Sequence, residues 1–220
     1  KRPGPRSGFL PRGDAMNLLA RFIEKRFMAP GRRMKASQFE ELQPSGGEIV
    51  FLGDSITAGG AWHEWFPSAR VLNRGIDGDT TDGVLARLST VLRGDPSKIF
   101  LLIGTNDLAL KRPRERIVAN VGEIVGRIRG GGEGPELVVQ SVTPRQAKFS
   151  SRIWELNHEY ELLASRFGAD YLDLWPALSD EQNSLKSDFT LDDLHLTGAG
   201  YRTWANALEP HVARSIGTVS

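Results

Sequence analysis

The sequence predicts an α/β fold with a central parallel sheet of five strands, and three observations carry that expectation. Five short aliphatic or β-branched runs recur from residue 49 onward, stretches with helical apolar spacing lie between them, and turn residues bound each run. Strands alternating with helices form a parallel sheet covered on both faces, and right-handed crossovers leave few topologies.

The elements follow in chain order. Residues 1–45 read as a basic extension. KRPGPRSGFLPRG is rich in Pro, Gly and Arg, and AMNLLARFIEKRFMAP predicts a short amphipathic helix with Met16, Leu19, Ile23 and Phe27 on one face. Residues 1–35 hold ten Lys or Arg against Asp14 and Glu24, a net of +8, so the overall +1 leaves −7 for residues 36–220. Packing on the domain is the favoured reading of this helix, and contact with an anionic membrane is the alternative. Arg21 and Glu24 break its apolar run, so it is neither a secretory signal core nor a membrane span, and a cytoplasmic location is expected.

Residues 46–220 are expected to form one domain. Its strands are the runs from Ile49 to Leu52, Arg70 to Leu72, Ile99 to Ile103, Leu137 to Val142 and Tyr171 to Leu174. Helical spacing appears at Val84, Leu85, Leu88, Val91 and Leu92, then at Ile117, Val121, Ile124, Val125 and Ile128 behind Pro113 in a first-turn position. It returns at Ile153, Leu156, Tyr160 and Leu163, and in a last segment from about Ala199 to Val212. RGGGEGP at 129–135 follows a helix, so it is a loop and not a dinucleotide fingerprint.

Composition excludes several chemistries. With 40% hydrophobic and 25% charged residues, the 220-residue chain is an ordinary globular sequence with one sizeable core. It has no cysteine, so disulfides, thiolate metal sites and a cysteine nucleophile are ruled out. The near-zero net charge argues against nucleic-acid binding. No cluster of metal ligands is legible, and neither a metal nor any other cofactor is expected. Pairing with a second copy is left open.

In a parallel sheet, ligands bind beyond the carboxyl ends of the strands. The first strand ends in Gly53-Asp54-Ser55, the second runs into NRGIDGD at 73–79, the third ends in Gly104-Thr105-Asn106-Asp107, and a late loop carries Asp192-Asp193-Leu194-His195. Ester cleavage needs a hydroxyl, a neutral imidazole, an anchor for that imidazole, and donors aimed at an oxyanion. Ser55, at a strand-to-helix turn, supplies the hydroxyl and its own backbone N–H. Gly78, without a side chain, lets a second N–H approach closely, and Asn106 offers an uncharged amide as a third donor. His195 lies three residues after Asp192, so one loop can supply base and anchor. Asp193 reads as solvated. Asp54 reads as a turn and network residue that also borders the substrate, and Gly75 as the bend after the second strand. Ile56, Thr105 and Leu194 flank catalytic positions and are expected to line an acyl site of modest size. Trp62, Trp65 and Phe66 suit a pocket wall or a core plug equally. Of the other histidines, His158 and His211 read as helix-face residues, and His63 is undecided.

GDSIT, NRGIDGDTT, GTND and DDLHLT resemble, in order, the four signature blocks of the SGNH or GDSL hydrolase family over roughly residues 46–214. FLGDSIT, NRGIDGDTT and LHLTGAGY are most similar to the catalytic subunits of platelet-activating-factor acetylhydrolase type Ib and to bacterial esterases like them. The resemblance implies a flavodoxin-like three-layer α/β/α sandwich with Ser55 as nucleophile, Gly78 and Asn106 in the oxyanion hole, and Asp192 with His195 completing a triad. It implies a serine esterase acting on short acyl esters through an acyl-enzyme. An acyltransferase using the same intermediate, and a non-catalytic scaffold of this fold, are the alternatives. Residues 1–45 fall largely outside the likeness.

Overall fold

The computed structural model describes residues 26, 28–42, 44–130 and 134–216. The helix expected over residues 15–30, with Met16, Leu19, Ile23 and Phe27, lies almost wholly outside them. The first described helix instead begins where that one was expected to stop: α1 runs Ala29–Glu41, with Pro30 in its first turn. Proline is tolerated there because a first-turn N–H has no intrahelical partner to lose.

Five parallel strands follow: β1 (Ile49–Gly53), β2 (Val71–Gly75), β3 (Lys98–Leu102), β4 (Glu136–Gln140) and β5 (Asp170–Leu172), in the sheet order β2-β1-β3-β4-β5. Every run read as a strand forms one, with ends shifted by at most three residues. β1 lies between β2 and β3, so the chain leaves it in one direction for β2 and crosses back over it to β3. That reversal opens a crevice at the carboxyl end of β1.

Each strand divides its side chains between two apolar layers, as the pleat requires. Val50 and Leu52 of β1 pack with Ile99 and Leu101 of β3 under three helices: α4 (Thr81–Leu92), α6 (Arg114–Arg129) and α7 (Ser150–Arg166). Ile49 and Phe51 face the other way, with Phe100, Leu102 and Val138, against Trp62 and the last helix, here α9 (Gly198–Ile216). Burying one such side chain contributes roughly 1.5–3 kcal/mol, so two filled layers fix the sheet between its helices.

Short helices complete the loops at the carboxyl edge: α2 (Ser55–Ala58), α3 (Trp62–Trp65), α5 (Thr105–Ala109) and α8 (Trp175–Leu178). Trp62 is a core plug, stacked on Phe51 at 4.3 Å and edge-on to Trp204 at 4.6 Å. Phe66 is buried beside them, and Trp65 packs on the same layer. His63 and His158 are exposed, and His211 lies on α9 with its ring edge-on to Phe100.

Candidate active site

The fold brings the four separated turns to one point. Ser55 is the first residue of α2, one residue beyond β1, and the intervening Asp54 caps that helix by accepting the Ile56 N–H at 3.0 Å. Ser55 Oγ lies 3.0 Å from His195 Nε2, and His195 Nδ1 lies 2.6 Å from Asp192 Oδ2. A carboxylate only accepts, so the ring proton sits on Nδ1 and Nε2 is the acceptor facing the serine hydroxyl.

Asp192 is held as firmly as it holds. Its Oδ1 accepts the backbone N–H groups of Leu194 at 3.1 Å and His195 at 2.8 Å, and the buried Thr190 hydroxyl is 3.3 Å away. Hydrogen bonds from the His195 side chain and backbone pull the Asp192 carboxyl down to about 2. Asp193 has positive φ, 61°, and its carboxylate reaches the Gln146 amide at 3.3 Å, outside the Ser55–His195–Asp192 chain.

The donors stand nearby. Gly78 has φ of 69°, a conformation that L side chains rarely adopt. Asn106 donates through Nδ2 to the Asp79 backbone carbonyl at 2.8 Å, and the second N–H of that amide remains. Among the described residues the backbone N–H groups of Ser55 and Gly78 have no acceptor in the protein. These residues, with His195, line a cleft of about 900 Å³.

Of the four residues expected to bind substrate, Leu194 lines this cleft and the other three do not. Asp54, Ile56 and Thr105 are buried. The reason is geometric: a helix starting at Ser55 turns the next residue inward, so Ile56 joins the second apolar layer, and a cap points back at its own helix. Burial, helped by the charges of Asp79 and Asp107, pushes the Asp54 carboxyl up to about 7. Gly75 is also more than a bend: a Cβ there would come within 2.2 Å of the Ala58 backbone nitrogen, so its bare backbone lets β2 pack against α2.

Sequence reasoning missed several supporting residues. Asn73 Nδ2 lies within 3.1 Å of the carbonyl oxygens of Thr57, Ala58 and Gly60, and its Oδ1 accepts the Gly75 N–H. It thereby joins β2 to the segment behind Ser55. Arg87 pairs with Asp79 at 2.9 Å and donates to the Gly53 carbonyl at 3.0 Å, fixing the end of β1 to the Gly78 turn. Tyr201 donates to the Ile56 carbonyl at 2.7 Å, tying α9 to α2. The NRG and GAGY phrases were the available signals for Asn73 and Tyr201. The most consequential omission is α1, whose Gly31, Arg32 and Lys35, with Met28 just before it, form one wall of the cleft.

Among the described residues no group of three or more His, Asp or Glu side chains could hold a metal ion, and no helix is long and apolar enough to cross a membrane.

Comparison with known proteins agrees with this architecture. The GDSL-like lipase/acylhydrolase family matches residues 51–203. Platelet-activating factor acetylhydrolase IB subunit alpha1 of Bos taurus is 27% identical over 178 residues, 76% of this chain and 75% of that one. An arylesterase of Vibrio mimicus is 25% identical over 160 residues, 66% of this chain and 72% of that one. A Streptococcus pneumonia structure described in connection with platelet activating factor superposes with a TM-score of 0.80 at 26% identity, over 92% of this chain and 100% of that one. An acetylxylan esterase from Geobacillus stearothermophilus shares the fold, with a TM-score of 0.66 at 18% identity, over 77% of this chain and 95% of that one. The serine at the strand-to-helix turn thus sits in a known architecture, and the chain belongs to the GDSL-like lipase/acylhydrolase family, as a carboxylic ester hydrolase.

Proposed function

We propose that this chain is a serine esterase that cleaves short acyl esters through an acyl-enzyme, with Ser55, His195 and Asp192 as its triad. The observation that carries the reading is the unbroken chain from Ser55 Oγ to His195 Nε2 at 3.0 Å and from His195 Nδ1 to Asp192 Oδ2 at 2.6 Å, on the wall of an open cleft.

The chemistry follows from those contacts. Ser55 Oγ attacks the ester carbonyl carbon while its proton passes to His195 Nε2. The carbonyl oxygen becomes an oxyanion held by the Ser55 and Gly78 N–H groups and the remaining N–H of Asn106. The intermediate collapses, the carbon–oxygen bond to the alcohol breaks, and the leaving oxygen takes the proton from His195. Water then repeats the sequence on the acyl-enzyme and releases the acid, restoring the serine hydroxyl. Asp192 holds the imidazole in the required tautomer and stabilises its cationic form.

Hydrolysis is favoured over transfer to another alcohol because the site is wet: the side chains of His195 and Asp192 are 48% and 52% exposed. Leu194 at the edge of the cleft favours short acyl groups. A series of p-nitrophenyl esters from acetate to decanoate tests both points. The expected result is a burst of p-nitrophenol equal to the enzyme concentration and a rate that falls with chain length. A linear time course with no covalent intermediate on rapid quench contradicts it.

A further inference from the structure

A second cavity, of about 370 Å³, opens at the edge of the sheet and shares no residue with the cleft of Ser55 and His195. One wall is helix α7, where Trp154, His158 and Glu161 follow one another at intervals of four and three residues, the spacing of a single helix face. The other wall is the edge strand β5 and the turn into α8, where Tyr171, Asp173 and Trp175 occur at every second position. Asn157 completes the lining, and its amide is already committed: it accepts the Val142 N–H at 2.8 Å and donates to the Val142 carbonyl at 3.1 Å.

Two features of this lining are not explained by core packing. Trp154 is 48% exposed, yet its indole is held, tilted against Trp175 with ring centroids 5.6 Å apart. An indole left half in water forgoes much of the burial that a large aromatic contributes. The charges are also unmatched. Glu155, beside Trp154 in sequence, pairs with Arg114 at 3.2 Å, whereas Glu161 and Asp173 have no ion-pair partner among the described residues. Burial first, and then the charges of Asp173 and Glu161, push the Tyr171 phenol above its ordinary range, so both carboxylates act on one ring of the cavity. No Lys or Arg lines the space, and the exposed His158 is the one lining side chain able to become cationic.

We propose that this cavity binds an arginine side chain of a partner peptide or protein, with the guanidinium against the Trp154 indole and its N–H groups donating to Glu161 and Asp173. Charge complementarity selects the occupant. The face of an indole attracts a cation, and a planar guanidinium can lie on that face while its edge reaches carboxylates on two sides. A quaternary ammonium has no N–H for either carboxylate, and a lysine ammonium cannot stack. The proposal is independent of the esterase reading, because it uses no residue of the active-site cleft.

The probe is N-acetylargininamide, an arginine side chain with both ends blocked, titrated into the full ¹⁵N-labelled chain while the tryptophan indole N–H signals are followed by NMR. Trp154→Phe identifies its signal by loss. The Trp154 and Trp175 signals are expected to shift with a Kd on the order of 1 mM, at least about tenfold tighter than for the neutral N-acetylcitrullinamide, and to respond less as salt is raised. Glu161→Gln and Asp173→Asn should each weaken binding about fivefold, and Asn at 173 still caps α8. Turnover of p-nitrophenyl acetate should stay at the wild-type level in both variants, which shows that they fold. Equal binding of the citrulline amide, or binding of N-acetyllysinamide or tetramethylammonium as tight as that of the arginine amide, overturns the proposal. So do shifts confined to other tryptophans, or a Kd unmoved by the double variant. The comparison of probes needs only the wild-type chain, so it decides even where a variant folds poorly.

Discussion

Asn106 donates its side-chain amide to the backbone carbonyl of Asp79 at 2.8 Å, joining the turn after β3 to the turn that carries Gly78. One N–H of the amide is thereby spent on geometry, and the proposed mechanism assigns the other to the oxyanion. Asn106→Ala removes both, so kcat is expected to fall on the order of 10²- to 10³-fold, with a smaller change in KM. Steady-state kinetics on p-nitrophenyl acetate checks it. A kcat within threefold of wild type excludes Asn106 from the oxyanion site.

In the proposed mechanism Asp192 orients His195 and does not itself react. Asp192→Ala is expected to lower kcat by about 10³- to 10⁴-fold, less than the roughly 10⁶-fold expected for loss of Ser55. The same carboxylate contributes to stability with a definite sign. Its value is lowered from 3.8 to about 2 in the folded protein, so the contribution is present above about pH 4 and is lost as pH falls through 2. The gap in melting temperature between wild type and Asp192→Ala should therefore persist from pH 8 to pH 5 and shrink below pH 4. A gap that grows on acidification contradicts the assignment.

Asp54 has the opposite sign. Burial raises it from 3.8 to about 7, so the folded protein holds a proton that the unfolded chain has already released. Stability is lost as pH rises between those values, by an amount on the order of 3 kcal/mol from pH 5 to pH 8. Asp54→Asn keeps an oxygen to accept the Ile56 N–H and does not titrate. Urea midpoints at the two pH values should differ for the wild type by more than for the variant. Equal pH dependence in the two proteins sinks this reading.

The two N–H groups of the Asn73 amide are shared among three carbonyl oxygens, those of Thr57, Ala58 and Gly60. Asn73→Leu leaves them without that donor and should destabilise the protein by about 1–3 kcal/mol. Because these carbonyls belong to the segment behind Ser55, kcat should fall as well. Chemical denaturation and kinetics on the same sample separate the two losses. An unchanged midpoint with normal turnover contradicts the role.

The strand ends were legible because a strand buried on both faces reads as an unbroken aliphatic run, and the residues where that run stops are those a parallel sheet presents to ligands. Ser55, Gly78 and Asn106 sit just beyond such endings, whereas Asp192 and His195 come from the loop before α9. The neighbours were misread because adjacency in sequence is not adjacency to the cleft: α2 begins at Ser55 and turns Ile56 into the apolar layer, while Asp54 and Thr105 face inward. Helix α1 escaped notice for a different reason. Its cleft-lining residues are Gly31, Arg32 and Lys35, and apolar periodicity detects faces that meet a core, not faces that line an open cleft. Trp62 was ambiguous until Phe51 and Trp204 were seen on either side of it, since a large aromatic near a turn serves a pocket or a core equally well.

All of the proposed chemistry turns on the identity of one attacking oxygen. Peptide mass spectrometry after treatment with diisopropyl fluorophosphate is expected to find a single phosphoryl adduct, on Ser55, formed in proportion to the loss of activity and absent from His195→Ala. Full inactivation with the adduct on another residue, or full activity with Ser55 blocked, would show that a different group attacks the ester.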